Sequence, residues 1–113
     1  MDIIRLLLMQ LESDKRPPGL DDYPEAEILY NTELAIEAGL IEGETLRDGG
    51  GDVVHATLIR LTWNGHDFLD SARDETLWNK AKQTVMKPAA SYTFEFIKEW
   101  LKAEIRARVG LPG

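Results

Sequence analysis

The sequence lacks cysteine altogether, and it holds only two histidines and no long apolar run. The absence of cysteine excludes disulfides and cysteine-ligated zinc, and it favours a reducing, cytoplasmic compartment. With two histidines and no thiol, the sequence offers few combinations of a catalytic nucleophile with a general base. We therefore expect no enzymatic activity, and we also expect no bound metal and no cofactor. The longest apolar stretch near the start, residues 3–9, is interrupted by an arginine and is far too short to span a bilayer. We therefore predict neither secretion nor membrane insertion.

Basic residues are also missing from one long stretch, residues 17–46. The eight acidic residues of this stretch are Asp21, Asp22, Glu25, Glu27, Glu33, Glu37, Glu42 and Glu44. The whole chain has a formal charge of −7, but residues 1–72 carry fifteen acids against five bases, whereas residues 73–113 carry eight bases against five acids. An acidic surface of this kind repels phosphate and attracts basic proteins. The alternative is an acidic surface that is merely solvated.

The length and composition fit one domain. At 113 residues, with 43% hydrophobic and 29% charged residues, the chain is long enough for one hydrophobic core and too short for two. We predict a single domain over residues 1–113, with helices and a hairpin in residues 1–62 and a C-terminal helical extension in residues 63–113.

Two helices are predicted before the first strand. The first is capped by Asp2 and runs to about Glu12, and a linker with a Pro-Pro-Gly sequence follows at residues 13–22. The second has Pro24 in its first turn, runs to Ala38 and ends at Gly39. The residues expected in the core are Ile4, Leu7, Leu8 and Leu11 from the first helix, and Ile28, Leu34, Ala35 and Ala38 from the second.

A hairpin and further helices follow. Residues 40–47 and 53–61 read as antiparallel strands joined by a glycine-rich turn at residues 48–52. Regular alternation along the second strand places Val53, His55, Thr57, Ile59 and Leu61 on one face. Thr62 is a suitable N-cap for the next helix, and Gly65 permits a close approach to the sheet. Residues 63–87 form one helix or two, residues 87–90 form a turn, and a last helix capped by Ser91 or Thr93 reaches about Val109.

Two segments carry a family resemblance. The sequence Ala38-Gly39-Leu40-Ile41, followed by the hairpin and then by residues 61–70, resembles the end of a winged-helix domain. The run from Arg73 to Lys80 is similar to an uncharacterised family of small proteins common in phages and prophages. The resemblance covers nearly the whole chain. It implies an α+β, winged-helix-like fold with a two-stranded β-hairpin wing and extra C-terminal helices, and it brings no established activity. In one respect the sequence departs from that pattern, because the linker at residues 13–22 is too short for a full extra helix before the recognition helix.

The second helix corresponds to a recognition helix, and a DNA-binding regulator is therefore one hypothesis. Asn31 and Thr32 would then read bases, while Arg47 in the wing would contact phosphate. A second nucleic-acid surface would use the basic C-terminal region through Lys80, Lys82 and Lys87. The second helix itself contains no lysine or arginine, the residues on which binding to DNA phosphates mainly depends. The charge pattern therefore disfavours DNA binding through this helix.

The last helix is the main candidate for a hydrophobic interface. One apolar stripe, Phe94, Ile97, Leu101, Ile105 and Val109, suffices to dock it on a small core. A second stripe, Phe96, Trp100, Ala103 and Ala107, is in excess, and Tyr92, Phe96 and Trp100 are suitable anchors for a second copy or another protein. The alternative is a helix that lies in a groove and is buried on both sides.

These observations lead to one preferred hypothesis. We expect a non-catalytic macromolecular-interaction protein of phage or prophage type, whose acidic face binds a basic protein partner. Glu33, Glu37, Glu42 and Glu44 would provide the charge, and the last helix would add a hydrophobic contact to that partner or form a homodimer. The competing hypothesis is a DNA-binding winged-helix transcriptional regulator. Neither hypothesis identifies the partner.

Overall fold

The computed structural model describes residues 1–86 and 93–109. In chain order its elements are α1 (Asp2–Ser13), a 3₁₀ turn (Leu20–Asp22), α2 (Glu25–Glu37), β1 (Ile41–Arg47), β2 (Val53–Leu61), α3 (Trp63–Ser71), α4 (Glu75–Thr84) and α5 (Phe94–Val109). This combination of helices with an antiparallel hairpin confirms the predicted α+β class with extra C-terminal helices. The chain divides into two compact units, Met1–His66 and Asp67–Gly113, which we call unit 1 and unit 2 and describe separately.

In unit 1, α1 follows the predicted periodicity but not the predicted cap. Ile4, Leu7 and Leu8 are buried as expected, and Leu11 is only half-buried. Met1 occupies the N-cap position and Asp2 lies inside the first turn, so the prediction of Asp2 as the cap is wrong. The Asp2 carboxylate still lies near the helix N-terminus, where the positive end of the dipole favours it.

The segment between α1 and α2 is short but anchored. It contains a single 3₁₀ turn, and Leu20 in that turn is fully buried. The described chain therefore has no complete helix between α1 and α2, which agrees with the expectation from the length of the linker.

Helix α2 starts and ends close to the predicted residues. Pro24 is its N-cap, and Gly39 beyond its C-terminus has a φ of 77°, a backbone conformation that glycine adopts without strain. Ala35 is buried, while Ile28 and Leu34 are half-buried. Ala38 is exposed, contrary to the prediction, because the helix ends at Glu37 and the following residue turns away from the packed side.

The hairpin has the predicted strands but an irregular register. Glu42 pairs with Arg60 while Gly43 pairs with Leu58, and Leu46 pairs with His55 while Arg47 pairs with Val53. Each step leaves one residue of β2 without a counterpart, first Ile59 and then Val54, and this extra residue makes a β-bulge. Each bulge reverses the alternation of side chains. The prediction that residues 53, 55, 57, 59 and 61 share a face is therefore wrong, and Val53, Ala56, Leu58 and Leu61 are the shielded residues.

The junction after β2 matches the sequence analysis closely. The backbone N–H of Gly65 donates to the Thr62 hydroxyl over 3.0 Å, and that hydroxyl donates to the Gly39 carbonyl oxygen. The Thr62 backbone N–H donates to the Leu40 carbonyl oxygen. A Cβ atom on Gly65 would lie 2.0 Å from this same oxygen, so only glycine permits the contact.

The helices after β2 resolve two alternatives that the sequence left open. Residues 63–84 form two helices, since α3 ends at Ser71 and Asp74 caps α4 by accepting from the Leu77 N–H at 2.9 Å. Thr93 caps α5 by accepting from the Phe96 N–H at 3.1 Å, whereas Ser91 and the turn at residues 87–90 lie outside the described residues. The Phe68 ring makes edge-to-face contacts with Trp78 and Phe94, at centroid distances of 6.2 and 5.6 Å.

Within the described ranges, every helix falls short of the length and apolar character needed to cross a membrane.

Candidate protein interfaces

The four glutamates predicted to form one acidic face belong to two separate surfaces. Strand β1 alternates regularly, so Gly43, Thr45 and Arg47 face α2, whereas Glu42 and Glu44 point to the opposite side of the hairpin. The Thr45 hydroxyl donates to the Glu33 carboxylate, which places Glu33 on the side where α2 meets the hairpin. Glu33 and Glu37 are one turn apart on α2. We therefore treat the outer hairpin face and the α2 surface as distinct candidates.

Glu33 is neutralised within unit 1. The Arg47 guanidinium donates to the Glu33 carboxylate and, over 2.6 Å, to the Gly51 carbonyl oxygen. The bond to Gly51 holds Arg47 against the hairpin turn, the Thr45 hydroxyl donates to Glu33, and the Glu33 side chain is largely shielded from solvent. In this arrangement Arg47 links the hairpin to α2 and removes the charge of Glu33 from the acidic surface.

The remaining carboxylates of α2 stay exposed. Glu27 and Glu37 lie three residues before and seven residues after Tyr30, so helical geometry places all three on one side of α2. Neither carboxylate has a cationic partner among the described residues, and Tyr30 is 61% exposed. We define Glu27, Tyr30 and Glu37 as the α2 acidic surface. It borders an open cleft of about 440 Å³ that Tyr30 shares with Asp52 and Val53 of the hairpin.

The outer hairpin face is mixed rather than uniformly acidic. Glu42 is paired with Arg60 in an exposed ion pair, and Glu44 has no cationic partner in the described ranges. Leu46 is exposed on the same face, and the two bulge residues, Val54 and Ile59, are exposed as well. The predicted regular alternation placed Ile59 on the same face as the buried Leu61, so its exposure follows from the bulges that the sequence analysis missed.

Trp63 is a surface residue that the sequence analysis missed. It is 90% exposed at the start of α3 and lines a cleft of about 430 Å³ with Arg60, Leu61 and His66. The available signal was helical periodicity, because Trp63 falls on the side of α3 opposite to the buried residues Phe68 and Leu69.

The side chains proposed to read DNA bases make hydrogen bonds within α2. Thr32 is only 2% exposed and its hydroxyl donates to the Ile28 carbonyl oxygen, so its predicted contact with a base is wrong. The Asn31 amide donates to the Glu27 carbonyl oxygen over 2.8 Å. Arg47 is engaged by Glu33, as described above. A bidentate contact of Asn31 with adenine would require this bond to break.

The basic residues of unit 2 are largely used within the unit. Lys80 donates to Glu104 over 2.9 Å, and its Nζ lies 5.9 Å from the centroid of the Trp100 ring. Lys82 is half-buried, and Lys87 lies outside the described residues. These lysines do not form a continuous free basic patch in the part of unit 2 that is described.

An ion cluster built around the nearly buried Lys98 joins α3 to α5. Lys98 is 8% exposed, and its ammonium lies 3.1 Å from the Asp67 carboxylate and 3.0 Å from that of Glu95. The Asp67 carboxylate also lies 2.9 Å from Lys102. Hydrogen bonds from Lys102 and Lys98 lower the pKa of Asp67, and those to Glu95 and Asp67 raise the pKa of Lys98. These groups stabilise the helix pair and are not free to act on a ligand.

A second ion pair joins the start of α4 to the end of α5. The Arg108 guanidinium donates to the Asp74 carboxylate, which also accepts from the Leu77 backbone N–H. The bond from Leu77, followed by that from Arg108, lowers the pKa of Asp74. The described residues include no group of three or more histidine, aspartate or glutamate side chains arranged to hold a metal ion.

Helix α5 divides into a buried and an exposed side. Ile97 and Leu101 of the first predicted stripe are buried, and Phe94 and Ile105 are half-buried. On the second stripe Phe96 is 50% exposed, Ala103 and Ala107 are exposed, and Trp100 is half-buried. The alternative of burial on both sides is therefore wrong for Phe96, Ala103 and Ala107. Tyr92, the third predicted anchor, lies outside the described residues.

Comparison with known proteins places the sequence in a family. Residues 1–91 match the family described as "Hypothetical protein (DUF2513)". A relative from Haemophilus influenzae (strain ATCC 51907 / DSM 11121 / KW20 / Rd), described as "Uncharacterized protein", is 32% identical over 104 residues, which cover 87% of this chain and 86% of the relative. No solved structure matches the chain. The match over most of the sequence shows that this chain belongs to the DUF2513 family.

Proposed function

We propose that this chain is a non-catalytic interaction protein of phage or prophage type that acts in the cytoplasm and binds a basic protein through its α2 acidic surface. The observation that carries the proposal is the exposure of Glu27 and Glu37 on either side of Tyr30, without a cationic partner among the described residues. An exposed aromatic ring between unpaired carboxylates suits a lysine or arginine side chain, which the ring attracts by a cation–π contact.

Fewer glutamates are available to a basic partner than the sequence suggested. Glu33 and Glu42 are each paired with an arginine, and Glu44 lies on the other side of the hairpin. Charge for the partner would therefore come from Glu27 and Glu37 rather than from the four glutamates identified in the sequence. Complementary charge mainly raises the association rate and selects the partner, and Tyr30 would supply the buried contact.

The competing function is a DNA-binding winged-helix regulator. The packing of α2 beside a two-stranded hairpin supports this alternative, since that is where a recognition helix and a wing would lie. The α2 acidic surface opposes it, because carboxylates at the position of a recognition helix repel phosphate.

Charge reversal separates the two functions. We expect Glu27→Lys/Glu37→Lys to weaken binding of a fluorescein-labelled arginine nonapeptide by about tenfold, because two attractive contacts become repulsive. The same variant should bind a random DNA duplex more tightly than the wild type does. Fluorescence anisotropy at several salt concentrations measures both affinities.

The matched control is Glu42→Lys/Glu44→Lys, which changes the net charge by the same amount on the outer hairpin face. It should alter peptide binding by less than about threefold. An equal loss in both variants would mean that only net charge matters, and the proposed surface would then be an ordinary solvated one. Tight, strongly salt-dependent binding of the duplex by the wild type would favour the regulator instead.

A further inference from the structure

The exposed residues of α5 follow the spacing of a helix-pairing seam. Phe96, Trp100, Ala103 and Ala107 are separated by four, three and four residues, which is the spacing of the a and d positions of a coiled coil. The buried residues Ile97 and Leu101 directly follow Phe96 and Trp100, so they lie a little more than a quarter turn away around the helix. Ile97 and Leu101 thus pack within unit 2, while Phe96, Ala103 and Ala107 are exposed and Trp100 is half-buried beside the Lys80 ammonium.

Two charged residues flank this seam without a partner in the described residues. Glu99 and Arg106 are seven residues apart, so they lie on the same flank of the helix. The neighbouring charged residues Lys98, Lys102 and Glu104 are all engaged within unit 2, by Asp67, Asp67 and Lys80 respectively. Glu99 and Arg106 are therefore available to a second helix.

Their order along the helix selects an antiparallel pairing with a second copy. Both residues occupy g positions of the seam, and in a parallel pair a g residue faces the residue five positions further along the other helix, so Glu99 would face Glu104 of the other copy, a pair of like charges. In an antiparallel pair with its two-fold axis between residues 102 and 103, Glu99 of each copy faces Arg106 of the other. An antiparallel pair therefore contains two equivalent ion pairs between Glu99 and Arg106.

The same axis also matches large residues to small ones. It places Trp100 of each copy opposite the gap between Ala103 and Ala107 of the other. Two alanines one turn apart leave a depression that accepts an indole ring, as in the packing of knobs into holes. Two independent features, charge order and side-chain size, therefore require the same register.

We propose that a second copy of this chain covers this face of α5, in an antiparallel pair centred between Lys102 and Ala103. The pairing does not involve the α2 acidic surface, so it stands or falls independently of the proposed function. The seam spans fewer than two heptads, and we expect a dissociation constant of about 1–100 μM for the full chain.

Sedimentation velocity over a concentration series tests the pairing. The wild type should pass from monomer to dimer, whereas Ala103→Arg should weaken the dimer at least about a hundredfold by placing charge at the centre of the seam. Ala103 is exposed, so the fold tolerates the change, which circular dichroism verifies. Gln83→Arg, at an exposed position of α4, is the matched control and should dimerise as the wild type does.

A charge exchange tests the orientation. Glu99→Arg alone and Arg106→Glu alone should each weaken the dimer by about tenfold, and the double exchange within one chain should restore it to within about threefold of wild type. This pattern is specific to the antiparallel register, because in a parallel pair Glu99→Arg alone would place an arginine opposite Glu104 of the other copy and strengthen the dimer. A monomer at every concentration, a dimer that is indifferent to Ala103→Arg, or a double exchange as weak as the single ones would overturn the proposal.

Discussion

At the scale of single residues, Gly65 is the position at which the end of α2, the hairpin and the start of α3 pack closely. Its missing side chain leaves room for the Leu40 carbonyl oxygen, which accepts the Thr62 N–H. Thr62 in turn links the beginning of α3 to the end of α2 through Gly39. Because this contact is between backbone atoms, no rotation of a neighbouring side chain can make space for a larger residue.

Substitution of Gly65 by alanine should therefore destabilise the chain. We expect Gly65→Ala to lower the free energy of unfolding by about 2–3 kcal/mol, since the new Cβ would force the backbone at Leu40 to move. Urea unfolding followed by circular dichroism measures the change. Gly49→Ala is the control, because a Cβ there meets no atom within 4 Å, and a loss as large as that of Gly65→Ala would contradict the steric explanation.

At the scale of elements, the cluster of Asp67, Lys98 and Lys102 joins α3 to α5. We expect Asp67→Asn to destabilise unit 2 by about 1 kcal/mol at neutral pH, because the nearly buried Lys98 ammonium loses one of its two anionic partners. Asp70→Asn removes an exposed pair with Arg73 and should change stability by less than about 0.5 kcal/mol. Similar effects of the two substitutions would show that the cluster stabilises no more than a surface ion pair.

The same cluster gives a pH dependence with a definite sign. The pKa of Asp67 is lowered in the folded state, so its stabilisation is fully present above the ordinary aspartate pKa of about 3.9 and is lost as the pH falls through the lowered value. The stability difference between wild type and Asp67→Asn should thus be constant above about pH 5 and shrink in acid. Urea unfolding at several pH values between about 2 and 7 measures this stability difference. A difference that grows in acid would mean that folding raises the pKa of Asp67 instead of lowering it.

At the scale of the whole molecule, charge is distributed unevenly between the two units. Residues 1–66 hold thirteen acidic and five basic residues, a net charge of −8, and residues 67–113 hold seven acidic and eight basic residues, a net charge of +1. Unpaired carboxylates at close quarters repel each other and destabilise the compact state. Salt screens this repulsion over distances of about 10 Å at 0.1 M ionic strength.

Added sodium chloride should therefore raise the melting temperature. We expect an increase of about 3–6 °C between about 0.01 and 0.5 M salt, measured by circular dichroism. Glu27→Lys/Glu37→Lys removes much of the excess charge and should show a smaller response. A melting temperature that falls with salt would mean that the ion pairs stabilise the folded chain more than the repulsion between its carboxylates destabilises it.

The sequence predicted the features that depend on local chemistry. Pro24, Gly39, Thr62 and Thr93 each mark a helix end by their own conformational or hydrogen-bonding properties, and these positions were correctly anticipated. The bulges at Val54 and Ile59 were missed because they arise from the pairing of two strands and leave the pattern of residue types unchanged. The loss of Glu33 from the acidic surface likewise depends on Arg47, fourteen positions away, whose proximity only the folded hairpin creates.

The two bulges in β2 also affect how the hairpin meets other chains. A straight strand at the edge of a sheet exposes an evenly spaced row of backbone donors and acceptors, on which a further extended segment can grow. An additional residue at Val54 and another at Ile59 break the even spacing at two points of a nine-residue strand. The edge formed by β2 therefore carries apolar side chains but no regular backbone template, so this edge resists extension into the ordered aggregates that flat strands nucleate.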